Sequence, residues 1–227
     1  MFFQARKIVV KEKKLTLSNW KKAPFLRIGL LSDLHIGSRT KLSMNTLKKV
    51  VKLLNAQKPD IIFNLGDYDS KRMKKFKVDQ TKVINILGKL RAPLGVYSIL
   101  GNHDGLSRSL FSLDTDEDLQ NQQKNIKTML KQMKTHLLDN DFIELEKDGK
   151  KFLVVGVSDT GSTTRPYALK FTEKEYTQSD FWFIKETLNK APKNLPTILL
   201  CHAPDGFPFV PNNVSLVLSG HTHGAQL

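Results

Sequence analysis

Apolar and polar positions alternate between two periods along most of the chain, and the switches predict where strands and helices fall. Leu26 to Leu31 is an apolar run bounded by Pro24 and ending at Ser32-Asp33, which reads as a buried strand. Leu47, Val50, Val51 and Leu54 then recur at helical spacing from about Ser43 to Gln57, with Pro59 closing the helix. Asp60 to Leu65 is again a short apolar run and ends at Gly66-Asp67. Val83, Ile86, Leu87 and Leu90 mark a second amphipathic helix, and Gly95 to Leu100 a third strand that ends in Gly101-Asn102-His103-Asp104. Strands separated by helices imply parallel crossovers, and ligands of open α/β sheets bind at the carboxyl ends of the strands.

The flanking regions are less regular. Residues 8–18 carry Ile8, Val9, Val10, Leu15 and Leu17 among lysines and predict two short edge strands. Asp114 to Asn140 turns polar and then helical, with Ile126, Met129, Leu130, Met133 and Leu137 on one face as core filling and Lys124, Lys127, Lys131 and Lys134 on a solvated face. Phe142 to Lys147 and Lys151 to Val157 flank Asp148-Gly149, a two-residue hairpin signal. A last helix spans about Ser179 to Lys190, and the strands Thr197 to Cys201 and Val214 to Leu218 end at His202 and at Gly220-His221.

Composition narrows the class. With 227 residues, 40% hydrophobic and 26% charged, the chain is not a disordered protein, and residues 1–227 are expected to form one domain around a sizeable core. The single cysteine, Cys201, excludes an intramolecular disulfide framework, fits a reducing compartment, and reads as a small buried apolar residue ending the run Ile198-Leu199-Leu200. No apolar run approaches bilayer-spanning length, and Met1 to Lys7 lacks the apolar stretch of a signal peptide, so a soluble chain is expected. Lys and Arg number 36 against 22 Asp and Glu, a net charge of +14 that favours nucleic acid, anionic lipid or phosphorylated substrates without choosing among them.

The chemistry concentrates just past the predicted strands: Asp33 and His35, Asp67, Asn102 and His103, His202, and His221 and His223. In extended backbone the two histidines of His221-Thr222-His223 point the same way, and Gly220 and Gly224 leave room for close approach. Together these residues predict a carboxylate, imidazole and amide cluster at one edge of one sheet. Mixed oxygen and nitrogen donors suit Mn, Fe, Co or Zn, and they are too many for one tetrahedral ion, which makes two metals the economical reading.

Asp33-Leu34-His35, Gly66-Asp67, Gly101-Asn102-His103-Asp104, His202 and Gly220-His221-Thr222-His223 resemble, in order and spacing, the signature of the calcineurin-like metallophosphoesterases. Leu200-Cys201-His202-Ala203-Pro204-Asp205 and Leu216 to Gln226 look most similar to the YkuE-type phosphoesterases. The resemblance implies an α/β, four-layer αββα sandwich of two mixed sheets flanked by helices. The chain stops where the family continues, which predicts a C-terminally short domain lacking its last strands. It further implies that Asp33, His35 and His223 hold one divalent metal ion, that Asn102, His202 and His221 hold the other, and that Asp67 bridges them with one oxygen to each. His103 would stabilise the phosphoryl charge or protonate the leaving group, and Asp104 would orient His103. The family pattern has a second acidic or amide residue three positions after Asp67 where this chain has Ser70, with Asp69 one position early, and Gly224-Ala225-Gln226 stands for the usual Gly-Gly-Gln.

The activity so implied is dinuclear-metal hydrolysis of a phosphodiester or pyrophosphate bond by a metal-bridging hydroxide, with Mn favoured. The substrate is expected to be a small or lipid-linked phosphoester, and the location cytoplasmic, peripheral at the inner membrane face. Lys71-Arg72-Met73-Lys74-Lys75-Phe76-Lys77 follows the bridging aspartate, and its basic, Met and Phe residues would suit anionic lipid headgroups. Nucleic acid is the alternative and is not favoured, because basic and aromatic residues are not strongly interleaved; steep salt dependence of polynucleotide binding would reveal it. A non-catalytic scaffold is a third reading, opposed by the complete ligand set.

Overall fold

The computed structural model describes residues 8–37, 43–68, 73, 75, 77–105, 115–158 and 181–223. Among them, strands β1 (Ile28–Leu31), β2 (Ile61–Asn64), β3 (Val96–Ser98) and β4 (His136–Leu137) form one parallel sheet in that order. Strands β5 (Asp141–Lys147), β6 (Lys150–Val157), β7 (Thr197–Cys201) and β8 (Leu216–Leu218) form the second, in which β5 and β6 pair antiparallel and the other neighbours parallel. The mixed character therefore lies in the second sheet.

Local chemistry sets the helix starts. Helix α1 (Met44–Ala56) is capped by Ser43, whose Oγ accepts the Thr46 N–H at 3.1 Å. Asp79 caps α2 (Gln80–Leu87) through the Lys82 N–H. Thr115 caps α3 (Asp116–Gln132) in a reciprocal box with Asp118. Helix α4 (Trp182–Lys190) instead relies on packing, with Phe183 and Ile184 buried. Asp148 and Gly149 both have positive φ, 54° and 70°, as a two-residue hairpin turn requires.

Three apolar layers hold these elements in a helix, sheet, sheet, helix order. Leu47, Val51, Val83, Ile86, Ile126 and Met129 pack helices α1 to α3 on the outer face of the first sheet. Ile61, Phe63, Ile99, Phe152, Val154 and Ile198 fill the space between the sheets. Leu153, Val155, Phe181, Phe183, Ile184 and Leu199 join α4 to the outer face of the second sheet, with Cys201 buried among them as expected. The solvated lysine face of α3 is also observed: Lys124, Lys131 and Lys134 are exposed, and Lys127 pairs with Asp139.

Two elements differ from expectation. Residues 8–17 form no strand, and Ser18–Trp20 is a short 3-10 helix. Val9, Val10 and Leu15 are scattered among lysines and stay exposed, so burial gives them nothing with which to dock on a sheet edge. Leu137, expected on the helix, lies in β4. Lys134 turns the chain out of the helix at φ 56°, and β3 then offers a ladder to His136 and Leu137. The i+4 spacing of Met133 and Leu137 fits helix and edge strand alike, and the tertiary partner decides.

Candidate metal centre

Five strand ends converge on one site. Asp33 and His35 follow β1, Asp67 follows β2, Asn102, His103 and Asp104 follow β3, His202 follows β7, and His221 and His223 follow β8. The cluster therefore lies across the carboxyl ends of both sheets, not at one edge of one sheet. The ladders run on into the loops and fix their height: Asp33 N–H donates to Gly66 O, His35 N–H to Asp67 O, and Gly220 N–H to His202 O. His221 N–H reaches across the seam to both oxygens of Asp33 at 3.0 Å, which ties the second sheet to the first.

The side chains form two groups around Asp67. In the first, His35 Nε2 lies 3.1 Å from His223 Nε2, and His223 Nε2 lies 3.5 Å from Asp33 Oδ1. In the second, Asn102 Oδ1 lies 3.2 Å from His202 Nε2 and 2.9 Å from His221 Nδ1. Asp67 Oδ2 stands between them, 3.5 Å from His35 Nε2 and 3.2 Å from His202 Nε2. Its other oxygen, Oδ1, accepts the His103 N–H at 2.8 Å. The resemblance implied one oxygen of Asp67 for each side, whereas here Oδ2 alone faces both.

Burial and charge are graded across the site. Asp67, Asn102, Asp104 and His202 are buried, His103 is exposed, and the His223 side chain is 48% exposed. His202 Nδ1–H donates to Leu65 O at 2.6 Å, which turns Nε2 inwards. Burial opposes the charged form of His202, but the hydrogen bond and charge of Asp67 outweigh it and raise its pKa from 6.5 to about 9. Burial likewise opposes ionisation of Asp67, yet His202 and His103 hold its carboxyl well below the usual range.

These atoms fit divalent cations. Ring nitrogens, carboxylates and an amide oxygen point at one another within hydrogen-bonding range, a mixed nitrogen and oxygen set that suits divalent cations once the imidazoles are neutral. Asp33, His35 and His223 place ligand atoms within 4.8 Å of one another, and so do Asp67, His202 and His221, while His103 lies equally near His35 and Asp67. The backbone is strained at the same positions. Asp33, His35, Asp67, His221 and His223 all have positive φ, between 39° and 67°, costing of order 1 kcal/mol or more each.

The contacts that support the site carry no motif in the sequence. The Leu65 carbonyl orients His202, Gln122 Nε2–H donates to His103 O at 2.7 Å, and Gly66 packs against Gly101 so closely that a Cβ on Gly66 would overlap the Gly101 nitrogen. The glycine at both strand ends was the available signal. Asp69, Ser70 and residues 224–226 lie outside the described residues, as do Lys71, Arg72, Lys74 and Phe76. Met73, expected to meet lipid, is fully buried against the α1 to α3 layer.

Fold and site together define an α/β sandwich with two groups of candidate ligands for divalent cations. The family model for calcineurin-like phosphoesterases matches residues 26–225, and the chain belongs to that family. It is 30% identical to the uncharacterized metallophosphoesterase Cj0846 of Campylobacter jejuni, over 96% of this chain and 49% of that one. It is 28% identical to the UDP-2,3-diacylglucosamine pyrophosphatase LpxG of Chlamydia muridarum, over 89% of this chain and 64% of that one. The uncharacterized metallophosphoesterase YkuE of Bacillus subtilis is also 28% identical, over 88% of this chain and 59% of that one. The chain thus spans less than two thirds of the length of each of these relatives, and YkuE does not stand apart from the others. No helix among the described residues is long and apolar enough to cross a membrane.

Proposed function

We propose that this protein is a dinuclear metal-dependent phosphoesterase that hydrolyses a phosphodiester or pyrophosphate bond, with Mn²⁺ the favoured ion. The observation that carries the proposal is the convergence of Asp33, His35, Asp67, Asn102, His202, His221 and His223, with acceptor atoms facing one another, at the carboxyl ends of five strands. Asp33, His35 and His223 would hold one cation, and Asn102, His202 and His221 the other. Asp67, whose Oδ2 faces both groups while its Oδ1 accepts the His103 N–H, would be shared between them. When bound, such a pair supplies an activated water near neutral pH and positive charge for the phosphoryl oxygens.

The remaining roles belong to the chain. His103 stands on the solvent side with its ring edge-on to His35, centroids 4.9 Å apart, where it can hydrogen-bond a phosphoryl oxygen or give a proton to the leaving oxygen. Its backbone is held by Asp67 and by Gln122. The +14 charge favours anionic substrates, and the likeness to LpxG makes the pyrophosphate of a lipid-linked nucleotide the first candidate, with contact to an anionic membrane through exposed lysines.

The test is hydrolysis of bis-p-nitrophenyl phosphate and of the corresponding monoester by Mn²⁺-loaded protein, with chelator and Asp67→Ala as controls. Diester cleavage that requires metal and is lost in the variant is the expected result. Inactivity of folded, metal-loaded protein sinks the proposal in favour of a scaffold.

A further inference from the structure

The turns that carry Asp67 and Asn102 are joined by two carboxylates acting in opposite directions. Asp67 Oδ1 accepts the His103 N–H. Asp104, fully buried, answers from the other turn: its Oδ2 accepts the N–H groups of Asp67 at 2.8 Å and Gly101 at 2.9 Å, and its Oδ1 accepts the Tyr68 N–H at 2.8 Å. The Asp104 N–H itself donates to Gly101 O at 3.0 Å. On the β1 side, the Gly66-Asp67-Tyr68 turn is held by ladder bonds from Asp33, His35 and Ile36. On the β3 side, the β2 ladder stops at the bond from Ile99 N–H to Asn64 O, short of the turn. Asp104 takes over where the ladder ends.

We propose that Asp104 is a positioning residue of the metal centre, whose carboxylate clamps the Asp67 turn to the Asn102 turn and so aims Asp67 Oδ2 and Asn102 Oδ1 at the same space. The inference rests on the dinuclear reading above. Asp67 has φ 59°, and a strained residue keeps its conformation only where its surroundings over-determine it. The Asp104 carboxyl accepts hydrogen bonds from two consecutive N–H groups of that turn, one on each oxygen, which fixes the direction of both peptide planes. Gly66 and Gly101 permit the approach: a Cβ on Gly66 would lie 2.8 Å from Gly101 Cα. Outer partners of this kind govern how well a site holds its ion.

The experiment uses the full chain, stripped of metal, and Mn²⁺ alone as probe. Asp104→Asn keeps the volume but turns an amide N–H₂ towards backbone N–H groups, so calorimetric Mn²⁺ affinity should fall about 10- to 100-fold. His103→Ala should retain near wild-type affinity and lose turnover of a diester with a poor leaving group instead. An Asp104→Asn variant that binds Mn²⁺ like wild type and loses only turnover overturns the proposal, because Asp104 would then act through His103. A second measurement needs no folded variant: in metal-free wild type, the amides of Asp67, Tyr68 and Gly101 should exchange slowly. Exchange as fast as in an exposed loop overturns the clamp. Wild-type protein with slow amides that binds no Mn²⁺ overturns the dinuclear reading, and the positioning role with it, while leaving the clamp observed.

Discussion

Nε2 of His202 lies 3.2 Å from Oδ2 of Asp67, and the pair is charged in the absence of metal. The folded pKa of His202 is raised from 6.5 to about 9, so its contribution to stability is complete below pH 6.5 and is lost as pH rises through about 9. Asp67 is shifted down from 3.8, so its contribution is present above that value and is lost as pH falls below it. Metal-free protein should therefore be most stable between about pH 4 and 6.5, and its melting temperature should decline from there towards pH 9. Metal requires neutral His202, so Mn²⁺ affinity should rise over the same interval with proton release. Melting curves and titrations across this range check both slopes, and a flat metal-free profile would sink the ion pair.

His103 offers a separate prediction, because its side chain is exposed while its backbone is fixed. Replacement by alanine leaves the Asp67 contact intact, since the N–H remains. Turnover of a diester with a poor leaving group should fall roughly 10²- to 10⁴-fold, the range for loss of a proton donor. With p-nitrophenolate, which needs little protonation, the loss should be smaller. Equal losses on both substrates would point to stabilisation of phosphoryl charge and not to proton transfer.

How much of this was legible in the chain differs by residue. Asp33, His35, Asp67, Asn102, His202, His221 and His223 could be read together because each follows an apolar run that the pattern marks as a strand, and strand ends converge in α/β folds. Their division between two sheets could not, because β7 pairs with β6 and not with β3 through contacts distant in sequence. Met73 reads as exposed beside its lysines, yet it fills the layer beneath α1 to α3. Asp104 next to His103 suggests a partner for that ring, and only the fold brings the amides of Asp67, Tyr68 and Gly101 to its carboxylate.

Gly101 is required for space alone. Its φ of −103° suits any residue, but a Cβ there would overlap Asp67 Oδ1 and lie 2.7 Å from the Asp67 nitrogen and 2.8 Å from His202 Cε1. Backbone and ligand side chains cannot yield as a flexible chain end would. Gly101→Ala should cost about 1–3 kcal/mol, the range for overpacking, and should weaken Mn²⁺ binding as well. Gly149→Ala at the β5–β6 turn makes a useful contrast. A Cβ there meets nothing within 4 Å, while φ is 70°, so that variant should lose stability with metal affinity unchanged.

The strained backbone gives metal removal a measurable size. Five of the seven proposed ligands sit at positive φ, and their acceptor atoms face one another across gaps of about 3 Å. Nothing in the unfolded chain assembles these ligands, so cations bind the folded state and stabilise it by mass action. At about 100 times the dissociation constant, each site adds about 2.7 kcal/mol, or roughly 5 kcal/mol for two. In a domain of this size 1 kcal/mol moves the melting temperature by about 2–4 °C, so Mn²⁺ should raise it by about 10–20 °C over chelated protein. Asp67→Ala removes the residue shared by both groups and should abolish most of the shift. His223→Ala removes a half-exposed ligand of one group only and should leave about half of it. Equal effects of the two variants would mean that the cations bind as one inseparable unit, and no shift in wild type would mean that the converging imidazoles and carboxylates hold no metal.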